Sequence, residues 1–333
     1  MDNISFCTND DFEKLQNFIH EKWKHNHVLA TDKTLFDFQH KSKDRLNFVI
    51  SKNENNEITG ILGFIPISKF DEELKKSNDL WLAIWKVDEN KAEPGTGFSL
   101  LKWLEKQIKP QSIASIGINN EVKRIYNVLG YKTGILNQYF IANPTLNEFQ
   151  ISSFKEKNPK LNSIISKSFL KEISIEDIDK ISFIYKPLKS QEYIKNRYIN
   201  HPTYKYFLLG AYNNDQLIAF FVIRKIYSNE SSCLRIVDIQ GDLSQLDSLY
   251  ESIVLLLKES KSEYIDCLNF GLSKELFFKM GFSLRNNEDI IPNYFEPFEK
   301  NNIDVYFVYK SKFSDYIIFK GDSDQDRPNI IQK

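Results

Sequence analysis

Two stretches of the chain share one pattern of apolar and polar positions. Residues 47–67 (NFVISKNENNEITGILGFIPI) and 206–226 (YFLLGAYNNDQLIAFFVIRKI) align with each other without a gap. Each has a short apolar segment, an Asn-rich polar segment and a second apolar segment. Because Asn and Asp tolerate turn backbone, this pattern predicts two β-hairpins.

The segments that precede the two hairpins also match. Thr8 with Asp11, and Ser174 with Asp177, place a hydroxyl three residues before a carboxylate, which is typical of a helix start. Apolar residues then follow at helical spacing, so an amphipathic helix is predicted in both copies. These positions are Phe12, Leu15, Ile19 and Trp23 in the first copy, and Ile178, Ile181 and Ile184 in the second.

A further match follows each hairpin. Strands are predicted at residues 112–118 and 264–270, and each precedes a helix that ends in glycine and an aromatic residue, YNVLGY at 126–131 and FFKMGF at 277–282. Both halves therefore follow the order helix, hairpin, strand, helix, strand, helix, strand. Several matches in one order indicate an internal duplication.

The duplication predicts an α/β (α+β) protein with two tandem mixed-sheet domains. We expect the first over residues 1–150 and the second over residues 165–333. The polar junction lies near residues 147–167 and contains FKEKNPKLN. With 333 residues, of which 41% are hydrophobic, the chain has enough apolar material for two cores.

Charge and cysteine content exclude several classes of function. A formal net charge of -1 gives no general attraction to nucleic acid or to an anionic membrane. The three cysteines are widely spaced, which disfavours a disulfide framework or a cysteine zinc site. No signal-peptide pattern and no apolar run of membrane-spanning length is visible, so we expect a cytoplasmic protein.

The most informative segment joins a strand to a helix through a glycine-rich loop. Residues 80–87 (LWLAIWKV) predict a strand, and Gly95-Thr96-Gly97 precedes a helical pattern that begins at Phe98. A helix start of this kind presents unpaired backbone N–H groups that bind phosphates. Taken alone, the loop is more typical of an ordinary strand-to-helix turn than of a phosphate site.

Two motifs in this half resemble the GNAT superfamily of CoA-dependent N-acyltransferases. That family has an aliphatic residue, four spacers, Gln or Arg, two spacers, Gly, one spacer, and Gly or Ala. Val87, Gly95 and Gly97 match, whereas Ala92 stands where Gln or Arg is usual. The second motif places Asn119 at a strand end, followed by a helix and residues 126–131.

The resemblance implies a specific use of these residues. The CoA pyrophosphate would lie on the backbone N–H groups of the loop, and the pantetheine arm would lie along the strand that ends at Val87. Backbone N–H groups near Trp85 would stabilise the oxyanion, and Tyr126 would protonate the leaving thiolate. Tyr126 is also suited to packing its helix on the sheet. The residues implied in CoA binding are Trp85, Val87, Ala92, Gly95, Thr96, Gly97, Phe98, Ser99 and Asn119.

The second half lacks the residues that this chemistry needs. Phe277 corresponds to Tyr126 and has no proton to donate. Residues 238–244 (DIQGDLS) hold one glycine and two carboxylates, which would repel a pyrophosphate. We therefore expect the second half to be degenerate and to hold the acceptor.

Polar residues in unusual places are the candidates for acceptor binding. Arg224, Arg235 and Asp238 lie in predicted strands, where charges either face a ligand or form internal ion pairs. Asn293 and Tyr294 lie in a stiff loop of aromatics and prolines, residues 290–298, which is suited to stacking on a base or to core packing.

The histidines of residues 23–27 (WKHNH) form an HxH pair. No nearby acidic or cysteine pattern completes a ligand set, so no metal is expected. His25 and His27 are instead candidates for contact with the acceptor, where either could assist deprotonation of its amine.

The last part of the chain carries a narrower resemblance. Residues 290–298 (IIPNYFEPF) and 321–329 (GDSDQDRPN) resemble the C-terminal segments of tandem-GNAT nucleotide-sugar N-acyltransferases of the FdhC type, which serve bacterial surface-polysaccharide (O-antigen) synthesis. Such enzymes transfer an acyl group, acetyl or 3-hydroxybutyryl, from acyl-CoA to a dTDP-linked 3-amino-3,6-dideoxyhexose. The resemblance adds Asp326 and Arg327 to the acceptor candidates. On composition alone, the segment could be a frayed tail.

Two other functions stay open at this stage. One is a tandem-GNAT aminoacyl transferase of cell-wall synthesis, although the chain shows no basic patch for RNA. The other is a non-catalytic acyl-CoA-binding protein. The sequence does not fix the oligomeric state, and a homodimer remains possible.

Overall fold

A computed structural model describes residues 3–155 and 166–329 of the chain. These residues form two mixed β-sheets, one of seven strands and one of eight, with helices packed on the sheets. The α+β architecture with two mixed sheets is the one predicted.

The first sheet has the strand order β1-β2-β3-β4-β5-β14-β6. The pair β2 and β3 is the hairpin predicted at residues 47–67, and its turn is closed by Asn53. The strands are β1 (Asn3–Cys7), β2 (Leu46–Lys52), β3 (Ile58–Pro66), β4 (Leu80–Val87), β5 (Ser112–Ile116), β6 (Lys132–Ile135) and β14 (Tyr306–Ser311).

The second sheet repeats this order with its own strands, as β13-β7-β12-β11-β10-β9-β8. The second predicted hairpin is β9 with β10, and a short strand, β15, adds to β12. The strands are β7 (Asn137–Ala142), β8 (Ser168–Ile173), β9 (Tyr206–Asn213), β10 (Gln216–Ser228), β11 (Ser231–Gly241), β12 (Tyr264–Phe270), β13 (Ser283–Leu284) and β15 (Ile318–Phe319).

Eight α-helices occur in the described residues, and none of them is long and apolar enough to cross a membrane. The predicted first helix begins beside Thr8, whose hydroxyl lies 3.0 Å from the Asp11 carboxylate. The helices are α1 (Phe12–Phe18), α2 (Val28–Thr31), α3 (Lys33–His40), α4 (Thr96–Ile108), α5 (Asn120–Val128), α6 (Gln191–Ile194), α7 (Tyr250–Ser260) and α8 (Lys274–Met280).

The matching helix of the second half was predicted wrongly. Ser174 and Asp177 make the same capping contact, at 3.0 Å, but only a short 3₁₀ turn follows, Glu176–Lys180. Closely spaced β-branched isoleucines lower the helix propensity here. Ile178 instead packs in the core between the sheets.

The two halves exchange one strand each. Strand β7 belongs to the first half in sequence but pairs with β12 and β13 of the second sheet. Strand β14 comes from the second half but lies between β5 and β6 of the first sheet. One apolar core joins the sheets, and it includes Trp81 and Ile116 from the first with Val237 and Leu268 from the second. The halves are therefore interlocked.

Candidate active site

The first sheet opens at its centre. The parallel strands β4 and β5 pair only at Leu80, Trp81 and Leu82 of β4, while β4 continues to Val87 alongside β3 alone. Because successive backbone groups of a strand alternate between its two edges, some N–H and C=O groups beyond Leu82 face this gap. Trp85 and Val87, implied in acyl-CoA binding, lie on this unpaired stretch.

Helix α4 begins next to the end of β4. Gly95 caps it in the left-handed region, with φ +86°, where a residue without a Cβ is favoured. A Cβ built on Gly95 would meet no protein atom within 4 Å, so the space above the cap is open. Gly97, by contrast, faces the protein, since its Cβ would lie 3.4 Å from both Trp85 Nε1 and Val87 Cγ2.

The other loop residues divide into buried and open positions. Thr96 is buried, and its hydroxyl donates to the Glu93 carbonyl at 2.7 Å. Phe98 is 48% exposed and Ser99 is exposed as well. The N–H of Ala92 donates to the Asp88 carbonyl at 2.9 Å, so it shapes the loop and does not point to a ligand.

Asn119 has a structural role that explains its place in the motif. It caps α5, where its Oδ1 accepts a hydrogen bond from the Val122 N–H at 2.8 Å. An Asn at this position satisfies one of the backbone donors that a helix start leaves unpaired. It thereby fixes the start of the helix that carries Tyr126.

Tyr126 is 1% exposed and packs between two aromatic rings. Its ring centroid lies 5.3 Å from that of Trp85 and 4.9 Å from that of Tyr131. Burial, together with the nearby Glu105 carboxylate, raises the pKa of Tyr126 well above its ordinary value, so the phenol keeps its proton at neutral pH. The position suits core packing, and it also places the phenol beside the unpaired end of β4.

The second sheet opens in the same way, but Lys320 and Gly321 near the C-terminus fill its gap. Strands β11 and β12 pair only through residue 236 of β11 and residue 267 of β12. Beyond that point the Lys320 N–H donates to the Leu268 carbonyl at 3.1 Å, and the Gly321 N–H donates to the Val237 carbonyl at 3.0 Å. Only glycine fits at 321, because a Cβ there would lie 2.4 Å from the Val237 oxygen.

The C-terminal tail is therefore packed into the protein rather than frayed over its described residues, 320–329. Asp322 and Asp326 are at most 1% exposed. The tail also reaches the first sheet, where Ser323 Oγ donates to the Leu82 carbonyl at 2.9 Å, the last β4 residue that pairs with β5. Gln325 lies against Gly117, just beyond β5. The tail thus connects the two gaps.

A small pocket that is open to solvent lies where the tail meets the second half. It contains five of the acceptor candidates and several residues that the sequence did not single out. The five are Arg224, Asn293, Tyr294, Asp326 and Arg327, and the others are Tyr204, Phe295, Glu296, Lys320, Asp324, Gln325 and Asn329.

Arg224 is held firmly at one wall of this pocket. Its guanidinium lies 2.6 Å from Asp326 Oδ1 and 3.8 Å from the centroid of the Tyr204 ring. Burial opposes the charge of Arg224, but Asp326 outweighs it and raises the pKa of Arg224 above its ordinary value. Asp326 also accepts a hydrogen bond from the Tyr206 hydroxyl at 2.6 Å.

Arg327 is held more loosely. Its Nε lies 3.4 Å from Asp324 Oδ2, and its Nη2 lies 3.1 Å from His27 Nε2. The contact with His27 joins the tail to the loop before α2. The guanidinium of Arg327 can therefore exchange its protein contacts for a ligand more readily than that of Arg224.

His25 and His27 lie in different environments. His25 is exposed, and its ring centroid lies 4.2 Å from that of His20. His27 is buried and caps α2. Burial and the Arg327 charge lower the pKa of His27 to about 3, which makes it a weak proton acceptor. No group of three or more ligating side chains suited to a metal occurs in the part of the chain that the structure describes.

Arg235 and Asp238 form internal ion pairs, the alternative that their sequence context left open. Arg235 is fully buried and pairs with Asp266 through Nε and Nη2, at 2.9 and 2.8 Å. Asp238 is fully buried too and pairs with Lys189 at 2.6 Å. Neither side chain reaches the pocket. Both hold together the strands and the tail that form it.

The fold that carries this site has counterparts among solved structures. A GCN5-related N-acetyltransferase from Anabaena variabilis matches with a TM-score of 0.55 and 10% sequence identity, over 93% of this chain and 72% of that protein. A conserved protein of unknown function from Enterococcus faecalis, described as a probable N-acyltransferase, matches with a TM-score of 0.55 and 8% identity, over 93% and 73%. The chain has the GNAT fold. No protein-family model and no curated protein matches its sequence.

The GNAT fold accounts for the geometry that the sequence motifs implied. The gap between β4 and β5, the glycine cap of α4 and Tyr126 occur together in the first half, as expected. Lys320 and Asp324 were missed, because a charged tail without periodicity gives no sign of insertion between strands. The one available signal was Gly321, since an isolated glycine often marks a close backbone approach.

Proposed function

We propose that this protein transfers an acyl group, acetyl or 3-hydroxybutyryl, from acyl-CoA to the amine of a nucleotide-linked amino sugar such as dTDP-3-amino-3,6-dideoxyhexose. The observation that carries the proposal is the direct contact between the tail and the first sheet. Ser323 touches the end of the β4–β5 pairing, and the next residue, Asp324, lines the pocket. A donor in the gap and an acceptor in the pocket would be neighbours.

The donor side is proposed from the start of α4. At the start of α4, the Thr96 N–H donates to the Glu93 carbonyl at 3.1 Å and the Ser99 N–H donates to the Gly95 carbonyl at 3.0 Å. The N–H groups of Gly97 and Phe98 are therefore the ones proposed to bind a pyrophosphate, in the open space above Gly95. The pantetheine arm would extend along β4 beyond Leu82, where one edge of the strand is unpaired. Backbone N–H groups of that stretch would face the thioester oxygen.

Only the first half is proposed to bind CoA. The tail occupies the corresponding gap of the second sheet through its hydrogen bonds to Val237 and Leu268. Phe277, in place of Tyr126, stacks on Tyr139 with ring centroids 3.9 Å apart. The second half would thereby support the acceptor pocket and perform no chemistry of its own.

The acceptor side is proposed from the mixture of aromatic and charged groups in the pocket. Tyr204, Tyr294 and Phe295 offer ring faces or edges for a base or a sugar. Arg327 offers a planar fork for a diphosphate, and its contact with Asp324 is long enough to be replaced. The acceptor amine would attack the thioester carbon directly, the C–S bond would break, and Tyr126 would protonate the thiolate.

The test is a CoA-release assay over a panel of nucleotide-linked amino sugars and acyl-CoAs. We expect saturable release for at least one pair, with the amide product seen by mass spectrometry. A nucleotide sugar with a hydroxyl in place of the amine is the matched control and should give no release. The free amino sugar should be a far weaker acceptor, because it lacks the diphosphate and the base.

Two outcomes would contradict the proposal. Tight acyl-CoA binding without turnover on any amine would indicate a non-catalytic acyl-CoA-binding protein. Turnover with aminoacyl-tRNA as donor, and none with acyl-CoA, would indicate an aminoacyl transferase.

A further inference from the structure

Lys320 is a buried lysine whose side chain reaches the acceptor pocket. Its backbone N–H is fixed to Leu268 in the gap of the second sheet, and the residue is only 2% exposed. Its side chain nevertheless forms part of the pocket wall, next to Asp324 and Asp326. A lysine is seldom buried without a full ion pair, so this position calls for an explanation.

The contacts of Lys320 suit a neutral amine. Its Nζ donates to the backbone oxygen of Asn293 at 3.1 Å and to the side-chain Oδ1 of the same residue at 3.3 Å. A neutral amine has two N–H groups and one lone pair, so these two acceptors use both donors. The lone pair is then left for the pocket. The Tyr294 ring, 4.5 Å from Nζ, covers another side.

The charges around Lys320 come from every element that packs against it. Burial and Arg235 of β11 lower the pKa of Lys320, Asp326 and Asp266 raise it, and Arg224 of β10 lowers it, with the result at about 7. Arg235 is neutralised in turn by Asp266. Three more charged groups line the same pocket, Glu296, Asp324 and Arg327.

The position of Lys320 also places it near the proposed thioester. Ser323, three residues further along the tail, contacts the Leu82 carbonyl at the opening of the first sheet. Three residues span at most about 11 Å even when fully extended. The backbone of Lys320 therefore lies within about 11 Å of that of Ser323, while its side chain lines the pocket.

We propose that Lys320 is the general base that accepts the proton of the acceptor amine. The inference rests on the proposed function. The amine nitrogen forms the new C–N bond, its proton passes to the lone pair of Lys320 Nζ directly or through one water, and the C–S bond breaks. The thiolate receives the proton of Tyr126. After product release, Lys320 returns its proton to solvent and Tyr126 regains one from solvent, so both groups are restored.

The alternatives within the site are weaker bases or are already engaged. His27 has a pKa of about 3, so it takes up a proton poorly at neutral pH. Asp326 is tied to Arg224 and to the Tyr206 hydroxyl, and Asp324 lies 3.4 Å from Arg327 Nε. Glu296 accepts hydrogen bonds from the Tyr204 hydroxyl at 3.1 Å and from the Asn329 N–H at 2.8 Å. His25 is exposed, with its ring tilted against that of His20. A general base works best when its pKa is near the working pH, which Lys320 satisfies.

Two substitutions separate a base from a cation. Lys320→Met removes the proton acceptor, and Lys320→Arg keeps a positive charge that does not titrate. With acetyl-CoA and dTDP-3-amino-3,6-dideoxyhexose, we expect both to lower kcat about 10²- to 10⁴-fold, as loss of a general base does. The wild-type pH profile of kcat should rise through about pH 7 and lose that limb in both variants. The amine of the acceptor titrates in the same way with all three enzymes, so a comparison of their kcat profiles removes its effect.

Lys225→Met is the matched control for loss of a lysine. Lys225 follows Arg224 on β10 and donates to the Ser260 carbonyl at 2.6 Å, away from the pocket, so its loss should leave kcat and its pH profile unchanged. Should Lys320→Met fail to fold, the titration of Lys320 by ¹³C NMR in the wild type, compared with the kcat profile, gives the same test.

The results that overturn the proposal are distinct from failure of the proposed function. Full activity in Lys320→Arg, or an unchanged kcat profile in Lys320→Met, would show that Lys320 is a charge or a packing group and no base. A Lys320 titration well away from the rising limb of kcat would show the same. If the wild type acylates no amine, the proposed function fails first, and the role of Lys320 fails with it.

Discussion

At the scale of single residues, Tyr126 is the candidate proton donor of the first half. Its phenol is protonated throughout the neutral range, as a proton donor requires. Tyr126→Phe should lower kcat, by about tenfold to ten-thousandfold, with little change in acyl-CoA affinity. Steady-state kinetics and calorimetry measure the two effects.

Tyr131→Phe is the matched control for that experiment. The Tyr131 hydroxyl donates to Glu105 Oε1 at 2.9 Å and lies in the same core. Its loss should lower the free energy of unfolding by about 0.5–1.5 kcal/mol and leave kcat alone. An equal loss of kcat in both variants would mean that Tyr126 acts only through packing.

Two arginines illustrate how burial separates a binding role from a structural one. Arg327→Ala should raise the KM for the nucleotide sugar about ten- to 150-fold, the effect of losing one charge-assisted contact of about 1.5–3 kcal/mol. Acyl-CoA affinity should not change. Kinetics with each substrate varied in turn will show the difference.

Arg235→Ala should instead lower the stability of the protein. It leaves the buried Asp266 carboxylate without its partner, which costs about 3–5 kcal/mol of stability. Urea unfolding measures that loss. If Arg327→Ala proved to be the destabilising variant while its KM stayed normal, the diphosphate site would have to be sought elsewhere.

At the scale of elements, the start of α4 controls the donor side. A Cβ at Gly97 would make ordinary contacts with Trp85 and Val87, so Gly97→Ala should fold and bind acyl-CoA almost normally. The two further methyl groups of Gly97→Val would press on Trp85 and displace the end of β4. We expect calorimetry to show a large loss of acyl-CoA affinity for the valine variant. Normal affinity in a folded Gly97→Val protein would separate the donor site from this strand end.

Three buried histidines near the elements of the site make stability depend on pH. Burial, with the Arg327 charge for His27 and the Arg197 charge for His201, lowers the pKa of both to about 3, and burial lowers that of His40 to about 4. Their ordinary value is 6.5, so below that pH the unfolded chain binds more protons than the folded one. The contribution of the three neutral histidines to the free energy of unfolding is present above about pH 6.5 and is lost as the pH falls toward 4.

The expected slope is about 1.4 kcal/mol per pH unit for each histidine that stays neutral in the folded state. Urea unfolding between pH 7 and pH 4 measures it. A stability that stays flat from pH 6.5 to pH 5 would show that these side chains are protonated in the folded protein.

At the scale of the whole molecule, the exchange of β7 and β14 should make the two halves fold together. A fragment of residues 1–155 lacks β14, which separates β5 from β6, and leaves β7 without its partners. Unpaired strand edges of this kind favour aggregation.

We expect each half alone to be unfolded or aggregated by circular dichroism. Co-expression of both halves should restore a folded complex, and the intact chain should unfold in one transition. A folded isolated first half would contradict the interlocked arrangement.

The sequence by itself determined the features that depend on neighbours in the chain. The two hairpins and the strand at residues 80–87 follow from short apolar runs and turn residues, whose preferences act over a few residues. The helix predicted from Phe98 begins two residues earlier, at Thr96. The repeat of these patterns was enough to predict two mixed sheets. The one local failure was the helix after Ser174, where the contacts of Ile178 in the core outweighed its helical spacing.

Only the tertiary structure decided which sheet each late strand enters, where the tail lies and which charges are paired. Strand β7 has the same alternation of side chains whichever sheet it joins, so no local pattern assigns it to the second sheet. Arg235 and Asp266 lie on different strands, and the ion pair exists only after β11 and β12 meet. Lys320 comes beside the pocket because the gap between β11 and β12 accepts the tail, and that gap exists only after the two strands have paired.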